Sequence, residues 1–229
     1  FSASAKRILE QDKSTIDFGD ILDSGKILIC NFSKGNLGED TSALFGTTIL
    51  AKLQVASLRR SRLKQTDRRP FYLYVDEFQN FATPAFAQIL SEARKYRLNA
   101  ILAHQTTSQL EETSLVNVTL ANTGTVICFR TANPEDERMI LPQFRPYIEQ
   151  GEIASLPSYH FYMRLGALNP EEPFSGVTIP VKIEYSQNRV DEVIESSRKL
   201  YASKYIEKAS NKTQLTKPVK YIQTAGILP

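Results

Sequence analysis

Eight consecutive residues, Phe71-Tyr72-Leu73-Tyr74-Val75-Asp76-Glu77-Phe78, combine an apolar and aromatic run with two adjacent carboxylates near its end. A near-continuous hydrophobic run is typical of a parallel strand, because helices cover both faces of a parallel sheet. Ligands of such sheets bind beyond the carboxyl ends of the strands, where Asp76 and Glu77 would emerge. The pattern fits a Walker B element, in which an Asp holds Mg²⁺ and a Glu polarises the attacking water. The alternative is a strand that ends in a solvated acidic turn.

A second polar group follows a second apolar run. The spacing of apolar residues predicts a helix over Pro84–Arg97, with proline in its first turn. The run Leu98–Ala103 then predicts a buried strand that ends at His104-Gln105-Thr106. An amide at this position can orient a water or sense a γ-phosphate without competing for the metal. The alternative is that Gln105 begins a loop and caps a helix.

Strands and helices alternate along most of the chain, which predicts a parallel sheet clothed by helices. The remaining predicted strands are Lys26–Asn31, Gly124–Arg130, Tyr159–Leu165 and Val177–Lys182. The remaining predicted helices are about Asp40–Leu63, Ser114–Ala121 and Pro134–Leu141. The first of these helices has a predicted buried stripe of Leu44, Thr47, Thr48, Ala51 and Val55.

The last part of the chain has a different character. Apolar and small residues at helical spacing predict an amphipathic helix: Val190, Val193, Ile194, Ser197 and Tyr201. Residues after about Ala209 read as a flexible tail, and basic residues recur from Arg198 to Lys220. We therefore expect two parts, residues 1–186 and residues 187–229.

The composition is that of an ordinary globular protein, with 41% hydrophobic and 23% charged residues among 229. No run approaches the ~20 apolar residues of a membrane-spanning helix, and no secretory signal pattern is present. Cys30 and Cys128 lie in apolar runs without metal-ligand spacing, so we expect buried free thiols of a reducing compartment. The two histidines, His104 and His160, are too isolated in sequence for a metal site, and His160 is expected to be structural.

A basic cluster lies where the first long helix ends. It comprises Arg59, Arg60, Arg62, Lys64, Arg68 and Arg69 around a single acid, Asp67. Clustered cations neutralise nucleic-acid phosphates, but basic residues also favour helix C-termini through the helix dipole. A formal net charge of +3 does not decide between a nucleic-acid contact and a solvated basic loop.

Two segments together carry a family resemblance: Tyr72-Leu73-Tyr74-Val75-Asp76-Glu77-Phe78-Gln79-Asn80-Phe81 and Leu90-Ser91-Glu92-Ala93-Arg94-Lys95-Tyr96-Arg97. They resemble the TraG/TraD-type coupling proteins of conjugative type IV secretion, which belong to the FtsK- and HerA-like hexameric DNA-pumping ATPases. The resemblance runs from about Lys26 to about Leu165. It implies an α/β fold, the carboxyl-terminal part of a RecA-like P-loop NTPase domain, with a mostly parallel sheet and helices on both faces.

The resemblance also implies roles for individual residues. Asp76 matches the Walker B Asp, which would bind Mg²⁺ with ATP, and Glu77 matches the catalytic Glu. Gln105 matches the sensor Gln that contacts the nucleotide. Arg94 matches an arginine finger that acts on a neighbouring subunit, a role worth ~10³–10⁵ in rate in other NTPases. Arg130, at the end of its predicted strand, is the rival arginine.

The same resemblance implies partners and a cellular location. The partners would be a DNA or nucleoprotein substrate, relaxosome accessory proteins, components of a secretion channel, and identical subunits in a homo-hexamer. The location would be the cytoplasmic face of the bacterial inner membrane. A HerA-like DNA translocase outside conjugation is an alternative within the same class.

One departure from the family is large: the sequence contains no Gly-x-x-x-x-Gly-Lys-Ser/Thr phosphate loop. The stretch from Gly19 to Gly25 and Lys26 has one residue too many between its glycines, and the stretch Gly35–Asp40 is acidic where a Lys should follow. We therefore expect the carboxyl-terminal part of a longer ATPase, as a start at Phe1 agrees with, and no ATP hydrolysis by this stretch alone.

Two other classes of function stay open at this point. The first is a recognition module that docks accessory proteins without hydrolysis. Its surface candidates are Glu135, Asp136, Glu137 and Arg138 together with the basic tail. The second is a metallohydrolase that lacks a phosphate loop, but it would need more ligands than two adjacent carboxylates that leave one strand in different directions.

Overall fold

The computed structural model describes residues 3–81, 83, 86, 90–106, 113–166 and 171–203. The α-helices of this part are α1 (Ala3–Leu9), α2 (Phe18–Ser24), α3 (Lys34–Leu37), α4 (Glu39–Arg59), α5 (Thr113–Asn122), α6 (Pro134–Ile140) and α7 (Gln187–Tyr201). The strands are β1 (Phe71–Val75), β2 (Leu98–Leu102), β3 (Val126–Phe129), β4 (His160–Arg164) and β5 (Phe174–Val177). Of the helix predicted over 84–97, Phe86 and residues 90–92 are helical and Ala93–Tyr96 forms a 3₁₀ turn, while the other residues lie outside the described part.

Strands β1 and β2 form the predicted parallel pair, in register from Phe71 opposite Leu98 to Val75 opposite Leu102. One face of the pair packs on a buried cluster of Leu50, Val75, Phe78, Phe86, Ala93, Leu98 and Val116. The other face is open in the described part of the chain, with Tyr72 59% exposed, Tyr74 74% and Ile101 41%. The α/β class and the parallel pair are therefore confirmed, whereas the helices among the described residues cover one face only.

The second sheet corrects the expectation of a mostly parallel sheet. Strands β3, β4 and β5 are antiparallel neighbours in that order. The last strand covers Phe174–Val177, not the expected Val177–Lys182. Gly176 lies opposite Phe161, and a Cβ there would come within 2.4 Å of the Phe161 ring, so this register depends on the glycine. The sheet packs on a second core of Val126, Cys128, Ile140, Leu141, Phe144, Ile148 and Ile153.

Helix α4 begins where predicted but ends at Arg59, with a 3₁₀ turn at Arg60–Arg62 in place of its expected last turn, and its buried face differs from the predicted one. Its buried residues are Ser42, Phe45, Gly46, Leu50, Leu53, Ala56 and Ser57. The expected stripe is wrong, because Ala51 is exposed and Val55 is 51% exposed. The helix carries apolar residues on several of its faces, so the spacing of its apolar residues fits more than one buried stripe. Packing of Leu53 and Ala56 against Leu22 selects the face that is buried.

Arg60 is a buried anchor at the amino-terminal end of β1 and β2. Its side chain is 1% exposed and its Nε lies 2.8 Å from Asp23 Oδ1. The guanidinium also donates to the carbonyls of Leu22, Arg69 and Tyr96. One side chain therefore joins α2, the end of α4 and the segments that precede both strands.

Part of the predicted basic cluster is used in the same way. Arg68 donates to the carbonyls of Leu63 and Lys95, and Arg69 donates to the carbonyl of Ser24. Together with Arg60, these arginines satisfy backbone carbonyls of the fold. The exposed members of the cluster are Arg59, Arg62, Lys64 and Arg69, and of these only Arg69 is among the arginines that bond to those carbonyls.

The expected strand at Lys26–Asn31 is absent; the segment has no regular secondary structure and no ladder partner among the described residues. Ile27 is 89% exposed and Ile29 81%, and an open cavity of about 1910 Å³ separates the segment from β1. A ladder needs strands ~4.8 Å apart, and the segment and β1 instead line this cavity without a ladder between them. Cys30 is consequently exposed, which corrects the expected buried thiol, while Cys128 is buried as expected.

Helix α7 confirms the helix predicted near the end of the chain. It spans Gln187–Tyr201, and its N-cap Ser186 accepts a hydrogen bond from the Arg189 backbone N–H. Val193 and Leu200 are 61% and 69% exposed. The predicted flexible tail lies outside the described residues, and the division at 186/187 stays a prediction.

Candidate functional site

Gln105 and Glu77 meet at the carboxyl ends of the two parallel strands. Gln105 Nε2 donates to Glu77 Oε1 across 2.6 Å, although 28 residues separate them in sequence. The strands hold them together, because Phe78 N donates to Ala103 O and Ala103 N donates to Val75 O. The structure therefore places Asp76, Glu77 and Gln105 together at one sheet edge, directly after two neighbouring parallel strands.

A tight turn presents the two carboxylates. Glu77 has a positive φ of 49°, a left-handed conformation that is uncommon outside glycine. Its backbone N–H donates to Asp76 Oδ1 across 3.0 Å, and buried Phe78 anchors the residue after it. The second oxygen of Glu77 accepts from Gln79 Nε2 at 2.5 Å. Glu77 thus has one amide donor on each carboxylate oxygen, which fixes its rotamer.

Asp76 suits a magnesium–nucleotide complex. Its side chain is exposed at the sheet edge. Mg²⁺ keeps several waters and is usually held by one or two carboxylates together with substrate phosphates, so a single open carboxylate meets its needs. Among the described residues there is no group of three or more His, Cys, Asp and Glu that could hold a metal without a nucleotide. The donor set therefore fits a nucleotide-bound ion better than a self-sufficient metal centre.

Arg94 lies at the opposite end of the sheet from this edge. It is exposed, in the 3₁₀ turn Ala93–Tyr96 that precedes β2, while Gln105 follows β2. A five-residue strand separates the two positions by on the order of 15 Å. The structure does not bring Arg94 to Glu77 of its own chain. Arg94 could therefore contact a Glu77 site only if that site belonged to another chain.

Arg130, the rival arginine, is exposed just after β3. It lines a cavity of about 300 Å³ with Phe129, Pro157, Ser158, Tyr159 and His160. His160 Nδ1 lies 3.0 Å from the Ser158 carbonyl, which agrees with the structural role expected for this histidine. The cavity is a separate feature from the edge that holds Glu77 and Gln105.

The loop after β2 is anchored on both sides of Gln105. The ring of His104 stands edge-on to Phe78, with centroids 5.0 Å apart. Burial lowers the pKa of His104, while the Thr106 backbone and the carboxylates of Asp136 and Glu77 act in the opposite direction. Thr106 Oγ1 donates to Asp136 Oδ1 across 3.1 Å. The loop is thus tied to the first turn of α6.

Two of the surface candidates on α6 are not at the surface. Asp136 is 4% exposed and Glu137 6%, which corrects their assignment as docking residues, whereas Glu135 and Arg138 are exposed. Glu137 Oε1 accepts from the Gly151 backbone N–H at 2.6 Å. The two buried carboxylates therefore join α6 to the rest of the molecule.

The two segments that imitate a phosphate loop form other structures. Residues 18–24 are helix α2, and Gly25 caps it with a φ of 73°. Lys26 pairs with Asp20 instead of facing a ligand site. Gly38, with a φ of 80°, joins α3 to α4, where Lys34 pairs with Glu39. Neither segment offers a row of free backbone N–H groups at the carboxyl end of a strand.

The sequence did not reveal the roles of Gln79 and Thr106, and it placed Asp136 at the surface instead of beside this loop. Gln79 stands two residues after Glu77, and the turn conformation of Glu77 folds it back onto the carboxylate. The sequence did contain a signal for Gln79, because it is a polar residue within the run Asp76–Phe81. The link from Thr106 to Asp136 spans 30 residues and has no signal in sequence spacing.

Comparison with known families agrees with the resemblance read from the sequence. Residues 70–140 match the family model described as the TraM recognition site of TraD and TraG. This segment begins just before β1 and ends with α6, so it contains Asp76, Glu77, Arg94, Gln105 and Arg130. The resemblance to these coupling proteins is thereby confirmed over that segment. No curated protein matches the chain.

Solved structures of two nucleotide-binding proteins are similar to the chain at low identity. The genome packaging NTPase B204 of Sulfolobus turreted icosahedral virus 2, in complex with AMPPCP, is 18% identical over 76% of each chain, with a TM-score of 0.47. The plasmid coupling protein TrwB with an ATP analogue is 20% identical over 68% of this chain, with a TM-score of 0.47. TrwB with ADP and Mg²⁺ is 21% identical, with a TM-score of 0.45 over 62% of this chain. The chain spans 37–39% of the length of TrwB in these matches.

Proposed function

We propose that this chain, whose residues 70–140 match the family model of TraD and TraG, supplies the acidic half of an ATPase site in a conjugative coupling protein. The observation that carries the proposal is the hydrogen bond from Gln105 to Glu77 at the carboxyl ends of β1 and β2, directly beside Asp76. Carboxyl ends of parallel strands are where ligands of α/β proteins bind. The phosphate loop would come from outside residues 1–229.

Each residue of the edge has a distinct task in this proposal. Asp76 would hold Mg²⁺, and the ion would supply electrostatic stabilisation for the phosphates of the nucleotide. Glu77 orients the attacking water and accepts its proton. Gln105 is bonded to Glu77 and would sense a bound nucleotide through this contact. Gln79 keeps the carboxylate of Glu77 in place.

Arg94 completes the proposed site from a neighbouring subunit. Its location at the far end of β2 excludes a contact with Glu77 of the same chain, so any catalytic role requires an assembly. A homo-hexamer, as implied by the resemblance, would supply the interfaces. Arg130 is the candidate to test next if Arg94 proves dispensable.

The partners and the location follow from the resemblance. We propose that the substrate is DNA or nucleoprotein, moved into a secretion channel at the cytoplasmic face of the inner membrane. Relaxosome accessory proteins would dock on the same region, with Glu135 and Arg138 as exposed positions on α6. Among the helices of the described residues, none is both long and apolar enough to cross a membrane.

The first experiment uses a form of the protein that contains a phosphate loop. Glu77→Gln should keep ATP binding and assembly but stop hydrolysis, because it removes the group that activates water. Asp76→Ala should also weaken Mg²⁺-ATP binding. Asp67→Asn, which alters an acid at the opposite end of β1, is the matched control and should leave turnover unchanged. Normal turnover by Glu77→Gln would contradict the proposal.

The second experiment tests the chain of 229 residues alone. We expect no steady-state phosphate release, since the backbone N–H groups and the Lys of a phosphate loop supply most phosphate contacts. Turnover that disappears in Asp76→Asn would show instead that the chain is complete as a catalyst.

The third experiment tests Arg94 by mixing subunits. Arg94→Ala and Glu77→Gln subunits should each be inactive alone. Mixed assemblies contain some interfaces with an intact Glu77 and an intact neighbouring Arg94, so part of the activity should return. A mixture that co-assembles and stays inactive would reduce Arg94 to a structural residue.

A further inference from the structure

The buried carboxylate of Asp136 contacts Thr106, which directly follows the proposed sensor Gln105. Asp136 is 4% exposed in the first turn of α6, where the helix dipole favours a negative charge. Its Oδ1 accepts the Thr106 hydroxyl at 3.1 Å. Thr106 directly follows Gln105, whose side-chain amide reaches Glu77 at 2.6 Å. These two hydrogen bonds and the peptide bond between Gln105 and Thr106 form a continuous path from α6 to the carboxylate of Glu77.

We propose that Asp136 is a positioning residue for Gln105, acting through Thr106. The inference rests on the proposed function of the site. Gln105 is exposed, so packing does not fix its side chain. The last backbone hydrogen bonds between the two segments are those from Ala103 N to Val75 O and from Phe78 N to Ala103 O. Beyond it, the backbone that carries Gln105 is held by His104 against Phe78 on one side and by Thr106 against Asp136 on the other.

The surroundings of the hydrogen bond from Thr106 to Asp136 strengthen it. A hydrogen bond to a charged acceptor is worth more than one between neutral groups, and burial protects it from competing water. Asp136 itself is fixed by the capped start of α6, where Asn133 accepts from the Glu135 backbone N–H. α6 in turn packs in the core of the second sheet through Ile140. The position of Gln105 is therefore fixed by the second sheet as well as by β2.

The test follows the side-chain amide of Gln105 by ¹⁵N–¹H NMR in the chain of 229 residues, with the signal assigned from its loss in Gln105→Glu. Thr106→Val removes the hydroxyl at nearly constant volume, and we expect the Gln105 amide to move to a solvent-like shift and exchange faster. Asp136→Asn should cause a smaller change in the same direction. Thr106→Ser restores the hydroxyl and should restore the signal.

The matched control is Thr123→Val. Thr123 is also half-buried and donates its hydroxyl to a carbonyl, that of Thr119, at 2.6 Å, but it lies outside the path to Glu77. It should lower Tm without moving the Gln105 amide. If Thr106→Val and Asp136→Asn behave like this control, the contact is structural only and the proposal is wrong.

A kinetic arm separates this inference from the proposed function. In the hydrolysis-competent protein, Thr106→Val should lower kcat about tenfold with KM unchanged, because a small displacement of a positioned group is costly in the transition state. If Glu77→Gln remains active, the ATPase proposal fails, while the NMR result still decides whether Asp136 positions Gln105. An unchanged kcat in Thr106→Val beside an inactive Glu77→Gln would overturn the positioning role alone.

Discussion

Arg60 and Asp23 form an ion pair with one buried and one open end, since the Arg60 side chain is 1% exposed and the Asp23 side chain 48%. The open carboxylate can be solvated without its partner. The buried guanidinium cannot, and three backbone carbonyls depend on it. The pair is therefore asymmetric, and most of its contribution to stability belongs to Arg60.

Arg60→Met should consequently lower the free energy of unfolding by about 2–3 kcal/mol, because buried carbonyls lose their donor. The matched control is Arg59→Met, which changes the exposed neighbour and should stay within about 0.5 kcal/mol. Urea titrations followed by circular dichroism measure both values. Equal effects of the two substitutions would mean that Arg60 is not the anchor described above.

Gly46→Ala should destabilise the chain, although alanine favours helix over glycine by about 1 kcal/mol. A Cβ at this position in α4 would lie 2.2 Å from two ring atoms of Phe81, in the segment that follows Glu77. The ring or the helix must move, which typically costs about 1–3 kcal/mol. Gly35→Ala in α3 has only Ser33 Oγ at 3.8 Å and should be neutral or stabilising in the same thermal unfolding assay.

Acid should destabilise the chain in part through His104. Burial lowers the pKa of this histidine in the folded state, so below its ordinary pKa of about 6.5 the unfolded chain binds the proton more readily. Its contribution is present above pH 6.5 and is lost as the pH falls through the folded pKa. His104→Phe, which keeps a ring beside Phe78, should reduce the loss in stability between pH 7.5 and pH 5.5. His160→Phe is the control, and a larger reduction there would contradict the assignment.

The two thiols should react at very different rates. Burial raises the pKa of Cys128 to about 11, with the nearby carboxylates of Asp136 and Glu137 acting in the same direction. At pH 8 about one thiol in a thousand is then ionised, and the thiolate is the reactive form. Cys30 is exposed. A thiol reagent should modify one equivalent rapidly, and Cys30→Ser should remove that phase; a fast phase that survives in Cys30→Ser would show that Cys128 is accessible.

The position of the candidate site at the carboxyl ends of β1 and β2 was predictable from the sequence, because each apolar run changes abruptly to polar residues there. Asp76, Glu77 and Gln105 each follow an apolar run, and parallel strands bring such ends together whatever the loops do. The same logic failed for Lys26–Asn31. An apolar run predicts a strand only if a partner lies within ladder distance, and here an open cavity separates the segment from β1.

Charged residues were the hardest to place from sequence. Arg60 and Arg62 look alike in the sequence, yet one is buried among backbone carbonyls and the other is exposed. Asp136 and Glu135 differ in the same way within one helical turn. In each case the partners come from distant segments, so a local pattern carries no information on which charge is buried.

The open face of the β1–β2 pair gives the chain an optical property. The sequence has ten tyrosines and no tryptophan, so its near-ultraviolet emission is tyrosine emission. Tyr72 and Tyr74 stand on that face, 59% and 74% exposed, within reach of a dissolved quencher such as iodide. Any molecule that covers the face will shield them. The fall in quenching, and its loss in a Tyr72→Phe/Tyr74→Phe double variant, would report that event on unlabelled protein.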